Sequence, residues 1–229
     1  MEEHKMKVIA RIRSDFDEKF GIPRQSGLAQ SLKASIVFEP EFRSPEAVRG
    51  LEEYSHIWLI WQFSRAVRED WSPTVRPPRL GGNTRMGVFA TRSPFRPNAL
   101  GLSSVKLDGV ELDPELGPVL NVSGADLLNG TPIYDIKPYV KYADSHPEAV
   151  SGFADTAGER ILEVDLPEEL LVRVPTDKRQ ALREVLAQDP RPSYQSDSSR
   201  VYGLSFAGLN VKFTVDNGVL HVVGCEEKQ

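Results

Sequence analysis

The chain is poor in cysteine, with one, Cys225, among 229 residues. A single thiol excludes an internal disulfide and any cysteine-based zinc cluster. Histidine is almost as scarce, and His4, His56, His146 and His221 are scattered without metal-ligand spacing. No run approaches the roughly 20 apolar residues that a membrane span requires. The first residues, MEEHKMKVIARIRSDF, are charged and lack the apolar core of a signal peptide. No GxGxxG follows a strand-like run, so the usual dinucleotide-binding cue is missing. A cytoplasmic protein with no metal and no membrane segment is the expectation.

Net charge is also small. At −5 it argues mildly against a nucleic-acid partner when taken as a sum. Its distribution says more. From residue 65 to residue 96 the chain carries Arg65, Arg68, Arg76, Arg79, Arg85, Arg92 and Arg96 against only Glu69 and Asp70. Residues 108–115 and 159–169 are acidic instead. A basic stretch on an acidic chain is compatible with RNA, whose phosphates Arg76, Arg79 and Arg85 would meet.

What is present is an ordinary globular composition, 40% hydrophobic and 27% charged, long enough for one large domain or two modest ones. Residues 8–12 and 33–38 read as strands, the second with Ala34, Ile36 and Phe38 on alternate positions. Residues 45–51 suggest a short helix with Ser44 as its N-cap. Residues 57–63 form the most apolar run and predict a buried central strand, with Trp58 and Trp61 in the core. The proline-punctuated stretch 65–84 shows no periodicity and reads as an arm or lid. Strands are expected again at 87–91, 102–107, 110–112 and 119–122, with Asp108-Gly109 as a hairpin turn. Strands at such short intervals indicate a mainly β fold, an antiparallel sandwich or barrel.

The texture changes near residue 148. Leu182, Val185 and Leu186 stand at helical spacing within 176–187, and the helix is stopped by Asp189-Pro190-Arg191-Pro192. Strand patterns follow at 201–206, 209–215 and 219–223. The expected division is residues 1–148 and a small α+β domain at 149–229.

Three loops combine glycine with polar residues. Residues 21–27 read GIPRQSG. Residues 87–102 read GVFATRSPFRPNALGL, where two prolines stiffen a loop that holds Arg92, Arg96 and Asn98 in a fixed layout. Two guanidiniums so held suit a carboxylate or a phosphate. Residues 124–132 read GADLLNGTP. In the following strand Asp135 and Lys137 share one face, as a ligand-facing pair or a salt-bridged strand end.

These words, together with DIKPYVKYAD at 135–144, DPRPSY at 189–194 and YGLSFAGLNVKF at 202–213, stand in order along the chain. They resemble the TsaA/TrmO family of S-adenosylmethionine-dependent tRNA methyltransferases. The resemblance implies an antiparallel β-barrel that dimerises and binds S-adenosyl-L-methionine in its loops. It implies methylation of N6 of threonylcarbamoyladenosine (t6A) beside the anticodon, chiefly in a threonine tRNA. Carried over motif by motif, Pro23, Arg24 and Gln25 form one cofactor loop, and Phe63 and Ser64 a further contact. Arg92 and Leu102 flank the central loop; Asp126, Leu128, Gly130 and Thr131 form the third. Phe63-Ser64 departs from a more polar family pair, Asn129 from an aspartate, and Ala99-Leu100 from a frequent Pro-Ile.

The candidate catalytic residues are Asp135, Asn98 and Lys137. Asp135 or a water is expected as the proton acceptor, and Arg96 or Lys137 as the grip on the threonyl carboxylate. Two other readings fit the same residues: a barrel that binds the cofactor without catalysis, and a methyltransferase with another acceptor.

Overall fold

The computed structural model describes residues 4–65, 71–156, 161–192, 195 and 197–228. Twelve strands are found among them: β1 (Ala10–Arg13), β2 (Lys33–Phe38), β3 (His56–Gln62), β4 (Thr74–Val75), β5 (Met86–Gly87), β6 (Leu100–Asp113), β7 (Gly117–Ser123), β8 (Pro132–Pro138), β9 (Glu163–Asp165), β10 (Tyr202–Phe206), β11 (Leu209–Asp216) and β12 (Val219–Glu227). Six close into an antiparallel barrel in the order β1-β2-β7-β6-β3-β8. Alternation explains the closure. Ile57, Leu59 and Trp61 of β3 point inward, as do Ala34, Ile36 and Phe38 of β2 and Val105 and Leu107 of β6. The protein is mainly β, an antiparallel barrel followed by a smaller α+β region.

That second region has the sheet order β10-β11-β12-β9, antiparallel except for the parallel pair β12–β9. The helix Arg179–Ala187 lays Leu182, Val185 and Leu186 on it, as the spacing predicts. Its core also takes in residues from the N-terminal part: Phe16, Ala29, Leu32 and Leu128 are buried in it, and Phe20 and Ile22 pack against it. The barrel loops and the α+β region therefore share one apolar interior.

Four local expectations need correction. Asp108-Gly109 is not a turn: β6 runs on for 14 residues, and its pairing with β7 is offset by a bulge between Leu107 and Gly109. Asp108 is taken up instead by Lys33, whose Nζ donates to Oδ2 at 2.8 Å. The hairpin turns five residues later, where Asp113 Oδ1 accepts from the Glu115 and Leu116 amides and Gly117 takes φ +69°. Residues 88–90 are not strand but a 3₁₀ turn, Val88–Ala90, fastened by the Thr91 hydroxyl donating to the Val88 carbonyl. Residues 45–53 form two 3₁₀ turns, Pro45–Val48 and Leu51–Glu53, and Ser44 makes no capping bond. Of the basic arm, residues 66–70 lie outside the described residues. The rest contains a small hairpin of β4 and β5, with Thr74 opposite Gly87 and Val75 opposite Met86.

Candidate functional site at the barrel end

A cavity of about 590 Å³ opens at the end of the barrel where β3 leaves it. That volume suits a nucleoside-sized ligand. Four segments build the cavity, and each is held by bonds that can be named.

The first is the loop at 20–28. Gly21 takes φ +88°, a conformation glycine adopts without strain. The turn sends Phe20 and Ile22 into the α+β core, where Phe20 stacks on Phe213 at 6.5 Å. Pro23, Arg24 and Gln25 are left facing the cavity. Arg24 reaches the Arg191 carbonyl, and the Gly27 amide donates to the Gly124 carbonyl at 2.8 Å. Glu184 of the helix accepts from both the amide and the hydroxyl of Ser31. The α+β region thus anchors the loop at several points.

The second segment is the end of β3. Trp61 is 6% exposed, and Phe63 lies 4.4 Å from it, centroid to centroid. Both rings, with Trp58, form aromatic walls; Trp61 is core as expected, whereas Trp58 is only part-buried, on the other face of β3, and donates to Asp144 Oδ2 at 3.1 Å. Gly101 on the neighbouring strand makes room for Trp61: a Cβ there would overlap the indole ring. Ser64 and Arg65 complete this edge, and Arg65 donates to the Asp17 carbonyl at 3.0 Å.

The third segment is the loop after the 3₁₀ turn. Arg92 Nη1 donates to Gln25 Oε1, joining this loop to the first. Arg96 Nη2 donates to the Thr91 and Val88 carbonyls at 2.9 and 3.3 Å, while its Nε is buried without a partner. Arg96 therefore fastens its own loop while lining the cavity.

The fourth segment supplies the cavity's one carboxyl among the described residues, Asp126. The Trp61 indole donates to Ser103 Oγ at 3.0 Å, and the Ser103 hydroxyl donates to Asp126 Oδ1 at 2.6 Å. Burial pushes the Asp126 carboxyl up from its ordinary value; the Ser103 bond and the charge of Arg92 oppose this without cancelling it. Ser103 was not singled out from sequence. The signal is a polar residue in the inward register of β6, opposite Leu59.

Of the residues carried over as cofactor contacts, Pro23, Arg24, Gln25, Phe63 and Ser64 line this cavity, as do Arg92, Leu102, Asp126, Leu128 and Thr131. Gly130 does not; its carbonyl accepts from Arg11. Asn98 is exposed and off the cavity. Asp135 and Lys137 form a partly exposed ion pair at 2.8 Å on the outer face of β8. Lys137 stands opposite Trp58 in the β3–β8 register, but neither Asp135 nor Lys137 lines the cavity, contrary to the expectation of a catalytic pair. Arg76 and Arg85 are exposed on the hairpin arm, away from the cavity; the side chain of Arg79 lies outside the described residues.

A closed antiparallel barrel with an aromatic, carboxyl-bearing cavity at one end, braced by an α+β region, defines a small-molecule-binding barrel protein. Residues 11–145 match the model of the tRNA-methyltransferase O N-terminal domain, and residues 160–228 that of the TrmO C-terminal domain. The chain belongs to this family. It is 39% identical to the tRNA (adenine(37)-N6)-methyltransferase of Escherichia coli K12 over the full length of both chains. A Pseudomonas aeruginosa relative, named "Putative S-adenosylmethionine-dependent methyltransferase RcsF", is 43% identical over 91% of each chain. The crystal structure of TrmO from Pseudomonas aeruginosa superposes with a TM-score of 0.80 at 36% identity, covering 100% of this chain and 99% of that one. Among the described residues no helix is long and apolar enough to cross a membrane, and no group of three or more metal-ligating side chains occurs.

Proposed function

We propose that the protein is an S-adenosyl-L-methionine-dependent tRNA methyltransferase acting on N6 of the adenosine 3′ of the anticodon, with t6A as the form it accepts. The names of its relatives support the reaction class, and the resemblance of its motifs supports the modified base. The observation that carries the reading is the meeting of three separate loops, around Arg24, Arg92 and Asp126, on one aromatic-walled cavity.

The cavity fits the cofactor chemically. A buried carboxyl suits a cation, aromatic rings suit both a cation and adenine, and Arg24 or Arg92 suits a carboxylate. When bound, S-adenosyl-L-methionine supplies a methyl group on a cationic sulfonium. The chain's residues position the partners and manage the proton. Alignment can lower such a barrier by roughly 7–11 kcal/mol.

The proton on N6 must leave as the methyl group arrives. Asp126 replaces Asp135 as the proposed acceptor, because it faces the cavity and burial raises its basicity. Lys137 is the grip on the threonyl carboxylate, since Arg96 already spends Nη2 on two carbonyls. Asp135 holds Lys137 in place.

The working unit is a cytoplasmic homodimer. Ile60 and Leu102 are opposite one another on the outer face of β3 and β6, and Leu102 is 57% exposed beside the cavity. A second copy seated there would cover apolar surface and narrow the opening. The proposed domain division is 1–148 and 149–229, past β8 and the short helix Lys141–Asp144 that follows it.

The test is incubation with S-adenosyl-L-methionine and a threonine tRNA, with and without t6A, followed by mass spectrometry of the digested nucleosides. A methyl gain on t6A alone is the expected result. Cofactor binding with no gain on either tRNA would overturn the enzyme reading in favour of a binding module.

A further inference from the structure

The hairpin arm carries two large aromatic rings that the cavity does not use. Trp71 and Phe89 stack at 6.3 Å with an interplanar angle of 28°, yet they are 52% and 75% exposed. Large apolar side chains left in water together mark a contact surface more often than a packing remnant. The backbone around Phe89 is held by several bonds. Val88, next to Phe89, is buried, and its amide donates to the Pro73 carbonyl at 2.9 Å. The 3₁₀ turn bearing Phe89 is tied by Thr91 and by Arg96, and Arg96 also lines the cavity. Phe89 is thus presented on a turn held by bonds from Thr91 and Arg96, with the Trp71 ring stacked against it.

Charge identifies the occupant. The β4–β5 pairing puts the aromatic pair beyond one end of the hairpin and the exposed Arg76 and Arg85 beyond the other. From Pro73 to Arg76 is roughly 10 Å of strand. A π-face flanked by guanidiniums is the combination that single-stranded nucleic acid requires: rings for an unstacked base, cations for its phosphates.

We propose that Phe89, backed by Trp71, is a stacking platform for an unstacked nucleobase of the RNA loop, a neighbour of the base that enters the cavity. The proposal rests on the reading of the protein as a tRNA methyltransferase. A prealigned platform holds the loop open without losing the freedom of a mobile side chain.

The test compares the full-length protein with Phe89→Ala, Trp71→Ala and Phe89→Tyr. Affinity for an anticodon stem-loop RNA is measured by fluorescence anisotropy, cofactor affinity by calorimetry, and assembly by sedimentation. Loss of one stacked base weakens RNA binding by roughly 5- to 150-fold. That loss is expected in Phe89→Ala, with a smaller one in Trp71→Ala. Phe89→Tyr keeps a ring and should bind as the parent does, and cofactor affinity should not move. Unchanged RNA affinity in Phe89→Ala overturns the platform, as does a parent protein that binds no RNA. A change in assembly with RNA affinity intact would assign the rings to a contact between copies, and overturns it too. RNA binding by the parent without methyl transfer defeats the methyltransferase reading alone.

Discussion

Gly21 lies so close to Leu204 that a Cβ on the glycine would overlap the Leu204 Cδ1 atom. Leu204 is fully buried in the α+β core, and Gly21 opens the loop carrying Pro23, Arg24 and Gln25. Gly21→Ala therefore meets two obstacles, the overlap and a φ of +88°. The left-handed conformation alone costs roughly 1–2 kcal/mol in an L-residue. Weaker binding of S-adenosyl-L-methionine by calorimetry and a lower urea midpoint are expected together. In a double-mutant cycle Leu204→Ala should relieve part of the Gly21→Ala loss, although Leu204→Ala itself costs about 2–5 kcal/mol. Strict additivity would show that the α+β region does not position the loop.

Gly101 plays the corresponding part on the opposite wall. Its missing side chain leaves space for the Trp61 indole, which is buried and donates to Ser103. In Gly101→Ala the ring must rotate into the cavity or lose that bond. Cofactor affinity should fall, with little change in the circular dichroism of the barrel. Gly101→Ala binding as tightly as the parent would mean that the indole has room to yield.

Much of this arrangement is legible in the sequence, because strand alternation exposes which residues face inward. The run containing Ile57, Leu59 and Trp61 follows from its apolar composition, and the helix bearing Leu182, Val185 and Leu186 from spacing. The loops at 20–28 and 124–132 announce themselves through glycine and proline. Three matters escape local pattern. Asp108-Gly109 has the composition of a turn, but long-range partners, Lys33 and Ser123, hold Asp108 inside a continuous strand. The separation of Asp126 from Asp135 depends on barrel closure, which sends one carboxyl into the cavity and the other to the outer face of β8. The shared core joining Phe16 and Phe20 to Phe206 and Phe213 links residues nearly 200 positions apart, and no window along the chain contains both.

Asp126 gives a pH-dependent test with a defined sign. Its folded-state pKa is raised, so the native state binds this proton more tightly than the unfolded chain does. The stabilising contribution is complete below the unfolded pKa and is lost as pH rises through the folded one. At neutral pH, well above the unfolded pKa, the buried carboxyl is therefore a burden on the free protein. Asp126→Asn should melt higher than the parent at neutral pH, and the difference should vanish in acid. If Asp126 takes the N6 proton, the same variant should lose roughly 10²–10⁴-fold in turnover at saturating cofactor, and parent turnover should fall as the pH drops through the raised pKa. Full turnover once cofactor is saturating would limit Asp126 to cofactor binding.

Lys137 and Asp135 separate substrate recognition from chemistry. Their ion pair is partly exposed, and such pairs stabilise a fold by only about 0–1 kcal/mol, so its removal should leave the melting temperature nearly unchanged. The proposed role of Lys137, which stands opposite the cavity-lining Trp58, is to meet the carboxylate that distinguishes t6A from plain adenosine. A hydrogen bond to a charged group contributes roughly 1.5–3 kcal/mol. Lys137→Met should therefore weaken binding of a t6A-bearing stem-loop by about 10- to 150-fold, and affinity for the unmodified stem-loop should hardly move. Asp135→Asn leaves the ammonium in place but less well held, and should give a smaller loss of the same kind, in KM more than in kcat. Equal weakening toward both RNAs would show that Lys137 meets a phosphate rather than the threonyl group. A loss in kcat confined to Asp135→Asn would return the proton to Asp135 and leave Asp126 to the cofactor.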